Sequence, residues 1–255
     1  MIKELYQYRQ LLKGNVSKEI RGKYKGSFLG ILWSFVNPLL SVLVYAIVFP
    51  LVLKNTQPHY VTYLIIGIIP WTFFTTAISQ GTTTVLVNGG IIKKVYFPRE
   101  ILPISVVTSA LVNFIISCFI IFIFLIFSGI GFSIYVFILP IIILIQYILV
   151  LGIVFITSAV DVYVRDAEYI INFFINMLFY ATPILYSADL FPAKFQWVLN
   201  LNPMAVVINS YRDILYYKQI PNFTLLGIVF LAGILILFIG IKIFKRLERG
   251  FAEEV

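Results

Sequence analysis

A run of sixty residues, 101–160, contains no Asp, Glu, Lys, Arg or His. A soluble domain needs charge over its surface, whereas a charge at the centre of a bilayer costs about 2.5–3.5 kcal/mol. Other uncharged runs are 26–53, 60–92, 169–188 and 219–241. The chain is only 12% charged, about half the proportion of an average soluble domain. Barrel strands would instead alternate over ten-residue segments, so the sequence predicts an all-α integral membrane protein.

The lengths of the uncharged runs predict six transmembrane helices. A helix needs about 20 apolar residues to cross a hydrocarbon core of about 30 Å, so the sixty-residue run accommodates two crossings, divided at Ser128-Gly129-Ile130-Gly131. The second crossing is expected to be kinked or broken near Pro70. The predicted crossings are 26–53, 60–87, 101–128, 132–160, 169–187 and 223–244, within one transmembrane domain, 1–255.

The Lys and Arg residues predict the orientation. If the N-terminus is cytoplasmic, 15 of the 19 Lys and Arg residues lie on the cytoplasmic side and 4 lie outside. Cytoplasmic loops of membrane proteins carry such an excess, so we expect both termini in the cytoplasm and the protein in the plasma (bacterial inner) membrane. The same excess accounts for the net charge of +8 without a nucleic-acid partner. Because the first 25 residues are polar and basic, no cleavable signal peptide is expected.

Two segments outside the predicted crossings have helical features. In 1–25, apolar residues such as Leu11 and Leu12 recur at helical spacing among basic residues, which predicts an amphipathic helix on the inner leaflet. The alternative is a solvated basic tail. The segment 188–221 is predicted to form an outer pair of short re-entrant or interfacial helices, split around Asn202-Pro203, because irregular backbone at membrane depth must be buried or face water. The alternative there is an ordinary external loop.

The sequence lacks the residues that catalysis or ion coupling would need. With one His and one Cys, we expect no metal site and no cofactor on this chain. The P-loop pattern G-x-x-x-x-G-K-[ST] is missing, so the chain is predicted not to be an enzyme and not to hydrolyse ATP alone. The predicted crossings hold no buried carboxylates of the kind that ion-coupled carriers use. Energy for transport must therefore come from a partner.

The loop 88–100 predicts a docking site for such a partner. Its sequence, NGGIIKKVYFPRE, interleaves apolar and basic residues, which is typical of an interaction surface. Gly89-Gly90 is expected to break the second helix. The alternative is an interfacial loop anchored by its aromatic residues. The candidate docking residues are Asn88, Ile91, Ile92, Lys93, Lys94, Val95, Tyr96, Phe97, Pro98, Arg99 and Glu100.

Several short stretches match one protein family in order along the chain. They are RGKYKGSFLGILW (21–33) leading to NP (37–38), IKKVYFPRE (92–100) with Pro103, VRD (164–166), ATPILY (181–186), NP (202–203) and YRD (211–213). With these stretches, the sequence resembles the permease subunits of type-2 ABC (ABC-2) exporters of polysaccharides, which include the O-antigen (Wzm-like) and teichoic-acid permeases.

The resemblance implies a homodimer of permeases joined to two separate ATPase subunits, which bind ATP and Mg. It implies that 88–100 is the coupling helix that seats in the ATPase, and that the N-terminal helix contacts the ATPase and the inner leaflet. The outer helix pair would cap a channel between the protomers. The substrate would be a long glycan on a polyprenyl-diphosphate lipid, moved from the cytoplasmic to the outer side.

A glycan needs a wet path with aromatic faces and polar groups, and two predicted crossings offer them. The candidate channel residues are Trp33, Asn37 and Tyr45 in the first crossing and Asn172, Asn176 and Tyr180 in the fifth, where the three lie on one helical stripe. The alternative is structural, because aromatic residues are enriched at membrane interfaces and Asn hydrogen-bonds between helices.

Charged residues at the predicted inner edge have two possible roles. Arg165 and Asp166 are predicted to anchor an inner gate or to bind the lipid diphosphate, with a simple ion pair at the membrane edge as the alternative. We expect Arg21, Lys23 and Lys25 to anchor lipid headgroups, each residue contributing about 1 kcal/mol. The alternative is that they receive the diphosphate.

Three other functions remain open. An ABC-2 permease for a drug, haem or a small lipid would share most of these features. A secondary carrier or channel would need buried ionisable residues and usually internal repeats, and the sequence contains neither. A membrane-bound transferase would need clustered His and carboxylate residues, which the sequence also lacks.

Overall fold

The computed structural model describes residues 6–24, 26–28, 30–53, 57–188, 194 and 196–255. Every regular element within these residues is helical, which confirms the predicted all-α class. The helices are α1 Arg9–Tyr24, α2 Trp33–Leu53, α3 Tyr60–Thr82, α4 Thr84–Val87, α5 Gly89–Ile92, α6 Ile101–Phe127, α7 Leu139–Tyr163, α8 Ala167–Ala181, α9 Gln196–Leu201, α10 Pro203–Arg212, α11 Phe223–Leu247 and α12 Phe251–Glu254.

Four helical segments of the described chain are long and apolar enough to cross a membrane. They are Tyr60–Thr82, Ile101–Phe127, Ile134–Tyr163 and Phe223–Glu254. Two shorter apolar helices accompany them, Phe35–Phe49 within α2 and Ala167–Ala181, which is α8. The structure thus supports a membrane protein with several apolar helices, and the count of six crossings stays a prediction.

The sixty-residue uncharged run folds as two helices joined by a glycine turn. Helix α6 ends at Phe127, and Gly129 and Gly131 follow with φ of 75° and 67°. Such left-handed backbone is accessible to glycine at no steric cost. The Gly131 N–H donates to the carbonyl of Leu125 at 2.8 Å and closes the helix end. The chain therefore turns back at the position where the sequence places the division.

Helix boundaries differ from the predicted crossings at two places. The first crossing was expected from residue 26, but α2 begins at Trp33, because Gly26 and Gly30 adopt positive φ and a 3₁₀ turn precedes the helix. In the second crossing, α3 ends at Thr82 and runs unbroken through Pro70. Proline occurs within membrane helices more often than within soluble ones. The Gln146 amide of α7 donates to the Pro70 carbonyl at 2.8 Å and ties α3 to α7 at this turn.

Helices α7 and α11 cross closely because glycines lie where they touch. A Cβ on Gly152 would lie 2.6 Å from the backbone nitrogen of Leu237, and a Cβ on Gly240 would lie 2.7 Å from the carbonyl oxygen of Gly152. Small residues at crossings let membrane helices approach at backbone distance. Helix α7 of this pair also packs against α3 and α6, and α3 is the most buried of the four membrane-length helical segments of the described chain.

One end of the bundle, which we call the basic end, carries α1, residues 88–100 and α12. The Lys18 ammonium of α1 donates to the Asn88 side-chain oxygen at 3.3 Å. The Tyr163 hydroxyl at the end of α7 donates to the Leu247 carbonyl at 2.8 Å. Helix α1 has the predicted helical conformation and packs against α6, whereas Leu5 and Lys25 lie outside the described residues.

The other end, which we call the far end, carries the described residues 182–188 and 196–217. Here α9 and α10 form the predicted pair of short helices, with the division at Asn202, and a π-helical turn, Asp213–Tyr217, continues α10. Residues 204–208 of α10 are buried, unlike those of an ordinary external loop. The Tyr216 hydroxyl donates to the carbonyl of Pro58 and ties this region to the start of α3.

Candidate translocation groove and coupling segment

An uncharged groove of about 370 Å³ lies between α2, α3 and α8. It brings together four of the six candidate channel residues and adds several from α3 that the sequence analysis did not single out. The lining residues are Ser41, Tyr45, Ile68, Trp71, Thr72, Thr75, Ser79, Asn172, Ile175, Asn176, Phe179 and Tyr180. Thr72, Thr75 and Ser79 recur at i, i+3 and i+7, a helical stripe that could have identified them.

The polar residues of α8 differ in whether they pair with another helix or are exposed at the groove. Asn172 accepts a hydrogen bond from the Ser79 hydroxyl of α3 at 2.5 Å, which is the interhelical role that the structural alternative describes. Asn176 and Tyr180, one and two turns further along, are exposed at the groove. These two side chains are therefore better placed than Asn172 to meet a molecule in the groove.

Aromatic rings form one wall of the groove. The Phe179 ring lies with its centroid 6.1 Å from that of Tyr45 and 5.7 Å from that of Trp71. Tyr180 packs edge-on against Phe179, with 5.4 Å between centroids. Aromatic faces beside hydroxyl and amide groups provide stacking surfaces and neutral hydrogen-bond partners, without any fixed charge to hold a ligand tightly.

Trp33 and Asn37 do not lie in this groove. They border a separate cavity between α2, α3 and α6, and only Thr72 lines both. The Trp33 indole N–H donates to the Ser27 hydroxyl at 3.0 Å. The six candidate channel residues thus fall into two cavities on different sides of α3.

Helix α8, which carries the groove residues, is fastened at the basic end by a buried carboxylate. Asp161 at the end of α7 is buried, and its Oδ1 accepts from the backbone N–H of Glu168 in the first turn of α8 at 3.1 Å. Negative charge is stabilised at a helix N-terminus. The contact therefore fixes where α8 begins relative to α7.

At the far end, α8 unwinds after Ala181 and its irregular continuation is held through backbone carbonyls. The Tyr60 hydroxyl donates to the carbonyl of Leu185 at 2.7 Å, and the Tyr63 hydroxyl donates to that of Tyr186 at 3.1 Å. Buried carbonyls that lose their helical partners must find others. The ATPILY stretch is thus a segment whose carbonyls are paired with side chains of α3.

Arg212 supplies two further donors to the same segment. Its guanidinium donates to the carbonyls of Pro183 and Ile184, the latter at 2.6 Å. Its centre lies 3.6 Å from the ring centroid of Tyr63, a cation–π contact. A Cβ on Gly67 would lie 2.8 Å from Arg212 Nη2, so a glycine there makes room for the guanidinium.

This arginine is 1% exposed and, among the described residues, forms no ion pair within 4.0 Å of a carboxylate. Burial lowers the pKa of the Arg212 guanidinium, and the Tyr63 ring opposes that shift. From the sequence, Arg212 is one of the four outer charges and part of the YRD stretch, with no structural role predicted for it. A signal was present, because an arginine that directly follows the uncharged stretch 195–211 is a candidate for burial.

Asn202 connects α10 to the same segment. Its side-chain oxygen accepts from the N–H groups of Met204 and Ala205 and caps α10. Its amide nitrogen donates to the Thr182 hydroxyl at 2.9 Å. The Asn-Pro motif thus starts one helix and ties it to the end of another, which joins the far-end helix pair to α8.

The coupling segment, residues 88–100, has a buried side and an exposed side. Phe97 is 6% exposed and packs in a cluster with Ile92 and Phe251. Tyr96 is 90% exposed, and Ile91, Val95, Lys93 and Lys94 are exposed with it. The exposed side thus presents apolar and basic groups together.

Side chains of the C-terminal region hold this segment in place. Arg99 donates to the Glu248 carbonyl, and Glu100 pairs with Lys245 at 3.5 Å. The ring of Phe251 lies 5.9 Å from the Arg99 guanidinium. The segment is therefore packed against the end of α11 and the helices that follow it.

The glycine pair in this segment does not break a helix as expected. Both glycines belong to the short helix α5, and the interruptions lie at Thr83 and at Asn88, whose amide donates to the Thr84 carbonyl at 2.8 Å. Gly89 instead contacts Val255, which occupies the space that a Cβ would need. Close packing, rather than backbone freedom, explains that glycine.

The remaining charged candidates lie at the basic end. Arg165, Asp166 and Arg21 are exposed, and no ion pair joins Arg165 to Asp166 in the described part of the chain. Asp166 occupies the N-cap position of α8 but its side chain forms no capping hydrogen bond. The side chain of Lys23 and all of Lys25 lie outside what the structure describes.

An all-α bundle with several membrane-length apolar helices and an uncharged polar groove is the architecture of a membrane transport permease. The chain belongs to the ABC-2 type transporter family, whose model matches residues 10–216. Permeases of this family are the membrane subunits of ABC exporters and work with an ATPase subunit. The predicted family is therefore confirmed, as is a transport function in a multi-pass membrane protein.

Curated relatives match the chain over nearly its full length. The O-antigen export system permease protein RfbA of Myxococcus xanthus is 32% identical over 257 residues, which cover 100% of this chain and 99% of that protein. Two O-antigen export system permease proteins RfbA of Klebsiella pneumoniae are 36% and 35% identical over 238 residues, with 93% of this chain and 92% of each relative covered.

Proposed function

We propose that this chain is the permease of an ATP-driven exporter that moves a polysaccharide, carried on a polyprenyl-diphosphate lipid, from the cytoplasmic to the outer side of the plasma membrane. Two copies form the permease, and two separate ATPase subunits bind ATP and Mg and supply the energy. The names of the full-length relatives support this substrate class.

The observation that carries the proposal is the groove between α2, α3 and α8. Its lining combines exposed Asn176 and Tyr180 with the hydroxyls of Ser41 and Thr75. Neutral side chains of this kind exchange hydrogen bonds with sugar hydroxyls at little net gain per bond. A long glycan can slide past such a surface, whereas a fixed charge would hold it.

The groove also suggests how a second copy completes the path. Exposed apolar side chains lie beside the groove residues on both helices, with Val44 and Val48 on α2 and Phe173 and Met177 on α8. Exposed apolar surface beside a polar groove is suited to lipid or to another apolar helix. In a homodimer, two such surfaces face one another and two grooves enclose one channel.

Six crossings with both termini in the cytoplasm fit the direction of the helices. The chain runs from the basic end to the far end and back through α2, α3, α6, α7, α8 and α11, and α1 and α12 both lie at the basic end. The excess of Lys and Arg supports a cytoplasmic position for that end. The basic end is therefore where the ATPase subunits dock.

The exposed side of the coupling segment is the docking surface in this proposal. Ile91, Val95 and Tyr96 offer apolar contact area, and Lys93 and Lys94 flank them. The buried side of the segment packs on the end of α11. Movement of an ATPase subunit bound at Tyr96 therefore displaces the segment together with the bundle. ATP-driven motion of the partner is thereby transmitted to the groove.

Exposed cations at the basic end receive the anionic part of the substrate or the membrane. Arg21 and Arg165 are free to contact phosphate groups at the inner headgroup level, where each contributes about 1 kcal/mol. Asp166 beside Arg165 limits the positive potential at that position. Headgroup anchoring and diphosphate capture both use these contacts.

Export by groove variants tests the proposal. Replacing Asn176 or Tyr180 with Leu removes hydrogen-bonding or stacking groups from an exposed position, so we expect surface glycan to fall several-fold while the amount of membrane-inserted protein stays constant. The matched control is Ile170→Leu, an apolar exchange at an exposed position of the same helix outside the groove. If export is unchanged in both groove variants, the groove is not part of the translocation path of the glycan.

A deletion strain tests the substrate class itself. Loss of the chain should leave lipid-linked glycan on the cytoplasmic leaflet, and a plasmid copy should restore surface glycan only when the ATPase partner has an intact P-loop. Normal surface glycan together with a new sensitivity to a drug or to haem would instead identify a small-molecule permease.

A further inference from the structure

A cleft of about 260 Å³ lies between the coupling segment and the end of α11 with the 3₁₀ turn that follows it. We call it the Arg249 cleft. Tyr96, Arg99 and Glu100 line it from the coupling segment, and Lys245, Glu248 and Arg249 line it from the other side. The groove between α2, α3 and α8 is uncharged, so the chemistry of the two sites differs.

The charges that line the Arg249 cleft leave one cation in excess. They are the cations Arg99, Lys245 and Arg249 and the carboxylates Glu100 and Glu248. The Glu100 carboxylate is 5% exposed and pairs with Lys245 at 3.5 Å. The cleft as a whole thus carries a formal charge of +1, which a single monoanion balances.

Two guanidinium groups in the cleft have donors available. Arg99 donates to the Glu248 carbonyl, which uses one of the five N–H donors of a guanidinium. Arg249 is exposed, and among the described residues neither arginine forms an ion pair within 4.0 Å of a carboxylate. The planar fork of a guanidinium matches a carboxylate and binds it through two parallel hydrogen bonds.

The size and the charge of the cleft favour one carboxylate as its ligand. A volume of 260 Å³ equals about nine water molecules at ~30 Å³ each, which accommodates an acidic side chain and the water around it. A phosphate monoester carries about 1.5–2 negative charges, more than the excess of one cation. It would also lie close to Glu100 and Glu248, whereas a carboxylate brings a single charge.

The position of the cleft indicates which molecule supplies the carboxylate. Tyr96 lines the cleft and is 90% exposed, and the neighbouring Val95 is 57% exposed. Apolar contacts bordered by polar and charged groups are the usual composition of a protein interface. A protein bound on the exposed side of the coupling segment therefore has its own side chains beside the mouth of the cleft.

We infer that the Arg249 cleft receives one acidic side chain of the ATPase subunit, whose carboxylate pairs with the guanidinium of Arg249 beside that of Arg99. The inference rests on the proposed docking of ATPase subunits at the basic end and adds a charged contact that fixes their position. Because Arg249 follows α11, this contact connects the ATPase to α11 as well as to the coupling segment.

Variants of Arg249 test the cleft through the affinity of the complex. The full chain is placed in phosphatidylcholine nanodiscs, and binding of its purified ATPase subunit is measured at physiological salt. Arg249→Gln should raise the dissociation constant about tenfold, the loss of one charged hydrogen-bonded contact. Arg249→Glu should raise it further, because it brings two carboxylates together. Since Arg249 is exposed, both variants should keep the parental unfolding midpoint.

Arg246 provides the matched control. It is an exposed arginine of α11 that does not line the cleft, so Arg246→Glu makes the same charge change nearby and should bind the ATPase like the parent. At 0.15 M salt, exposed charges separated by more than about 8 Å are largely screened. If Arg249→Glu fails to fold, the pair Arg249→Gln and Arg246→Gln carries the same comparison.

Cross-linking identifies the partner group. The photoreactive residue p-benzoylphenylalanine in place of Arg249 should label an ATPase peptide that contains Asp or Glu. Replacing that acid with Arg in the ATPase should restore its affinity for Arg249→Glu, because the pair forms again with its signs exchanged. Such a rescue is a coupling between two residues in contact, which a general change of charge does not produce.

Three results would overturn the inference and leave the proposed function intact, because the parent permease still binds its ATPase in each. Equal losses in Arg249→Glu and Arg246→Glu would show that only the general charge of the basic end matters. A loss confined to discs that contain phosphatidylglycerol would mean that the cleft binds a lipid phosphate. A labelled peptide whose acids give no rescue would mean that another group occupies the cleft. If the parent itself does not bind the ATPase, the proposed docking fails and the inference fails with it.

Discussion

The two ends of the bundle hold irregular backbone in different ways. At the far end, residues 182–186 direct their carbonyls to buried donors, two tyrosine hydroxyls and the guanidinium of Arg212. At the basic end, residues 88–100 rest on an apolar cluster around Phe97 and on the half-exposed pair of Glu100 with Lys245. One end is fixed by buried polar contacts and the other by apolar packing with a free outer face.

This difference determines how readily each end can open. A buried hydrogen bond that loses one partner leaves the other unpaired, at a cost of about 1–3 kcal/mol for a neutral group and more for a charge. An exposed ion pair is worth about 0–1 kcal/mol. The far end therefore resists local opening, while the basic end keeps an exposed face available for a partner.

Removal of the Arg212 guanidinium should give the largest effect. Arg212→Met leaves the carbonyls of Pro183 and Ile184 unpaired, and each unpaired buried acceptor costs about 1–3 kcal/mol. We expect a large fall in the thermal unfolding midpoint of the purified protein in detergent. Arg212→Lys keeps the charge but not the forked geometry of the guanidinium. Its unfolding midpoint should lie between those of the parent protein and Arg212→Met. A parental midpoint in Arg212→Met would show that this contact does not hold the far end.

A pair of neighbouring alanine variants should separate packing from docking at the basic end. Phe97→Ala opens the apolar cluster and should destabilise the protein by about 3–5 kcal/mol. Tyr96→Ala changes an exposed side chain and should alter stability by no more than about 0.5 kcal/mol, while export and transport-linked ATP hydrolysis fall. The comparison uses the unfolding midpoint and the ATPase rate of the complex; export that survives in Tyr96→Ala would contradict the docking surface.

The cap on α10 should have an intermediate effect. Asn202→Ala loses the acceptor for the N–H of Met204, which typically costs about 1 kcal/mol and at most about 2, and also the donor to Thr182. Asn202→Asp keeps the cap but not that donor, so it separates the two contributions. Equal unfolding midpoints for both variants would mean that the contact with Thr182, and not the cap, stabilises this region.

The smallest effect is expected for the ion pair of Glu100 with Lys245. Lys245 is 43% exposed and Glu100 only 5% exposed, so the pair is solvated on the lysine side alone, and a double-mutant cycle with Lys245→Met and Glu100→Gln should give a coupling energy of about 1 kcal/mol. The coupling should shrink at high salt because exposed pairs are screened. A coupling above about 2 kcal/mol would show that the basic end also depends on buried electrostatics.

Features that depend only on residues close together in the chain could be predicted from the sequence. The uncharged runs predict α3, α6, α7 and α11, because exclusion of charge is a property of each segment alone. The turn at Gly129 and Gly131 follows from the need for positive φ. Asn176 and Tyr180 reach the same groove because the helical period places them on one stripe.

Features that depend on how helices are rotated against one another could not be predicted from the sequence. Trp33 and Asn37 share a helix with Tyr45 but border another cavity, since packing against neighbours sets how a membrane helix is rotated. Arg212 contacts Pro183 and Ile184, which lie 29 and 28 residues earlier in the chain. Tyr96 and Phe97 are adjacent and similar in type, yet only the fold decides which of them is buried.

The length of α8 has a consequence for the lipid beside the groove. Its 15 residues rise about 22 Å, which is less than the roughly 30 Å of the hydrocarbon core. In the proposed six-crossing arrangement, lipid against α8 meets a short apolar surface, and a bilayer adapts to such a mismatch by thinning. A thinner bilayer beside Asn176 and Tyr180 shortens the stretch of hydrocarbon that a polar cargo must pass.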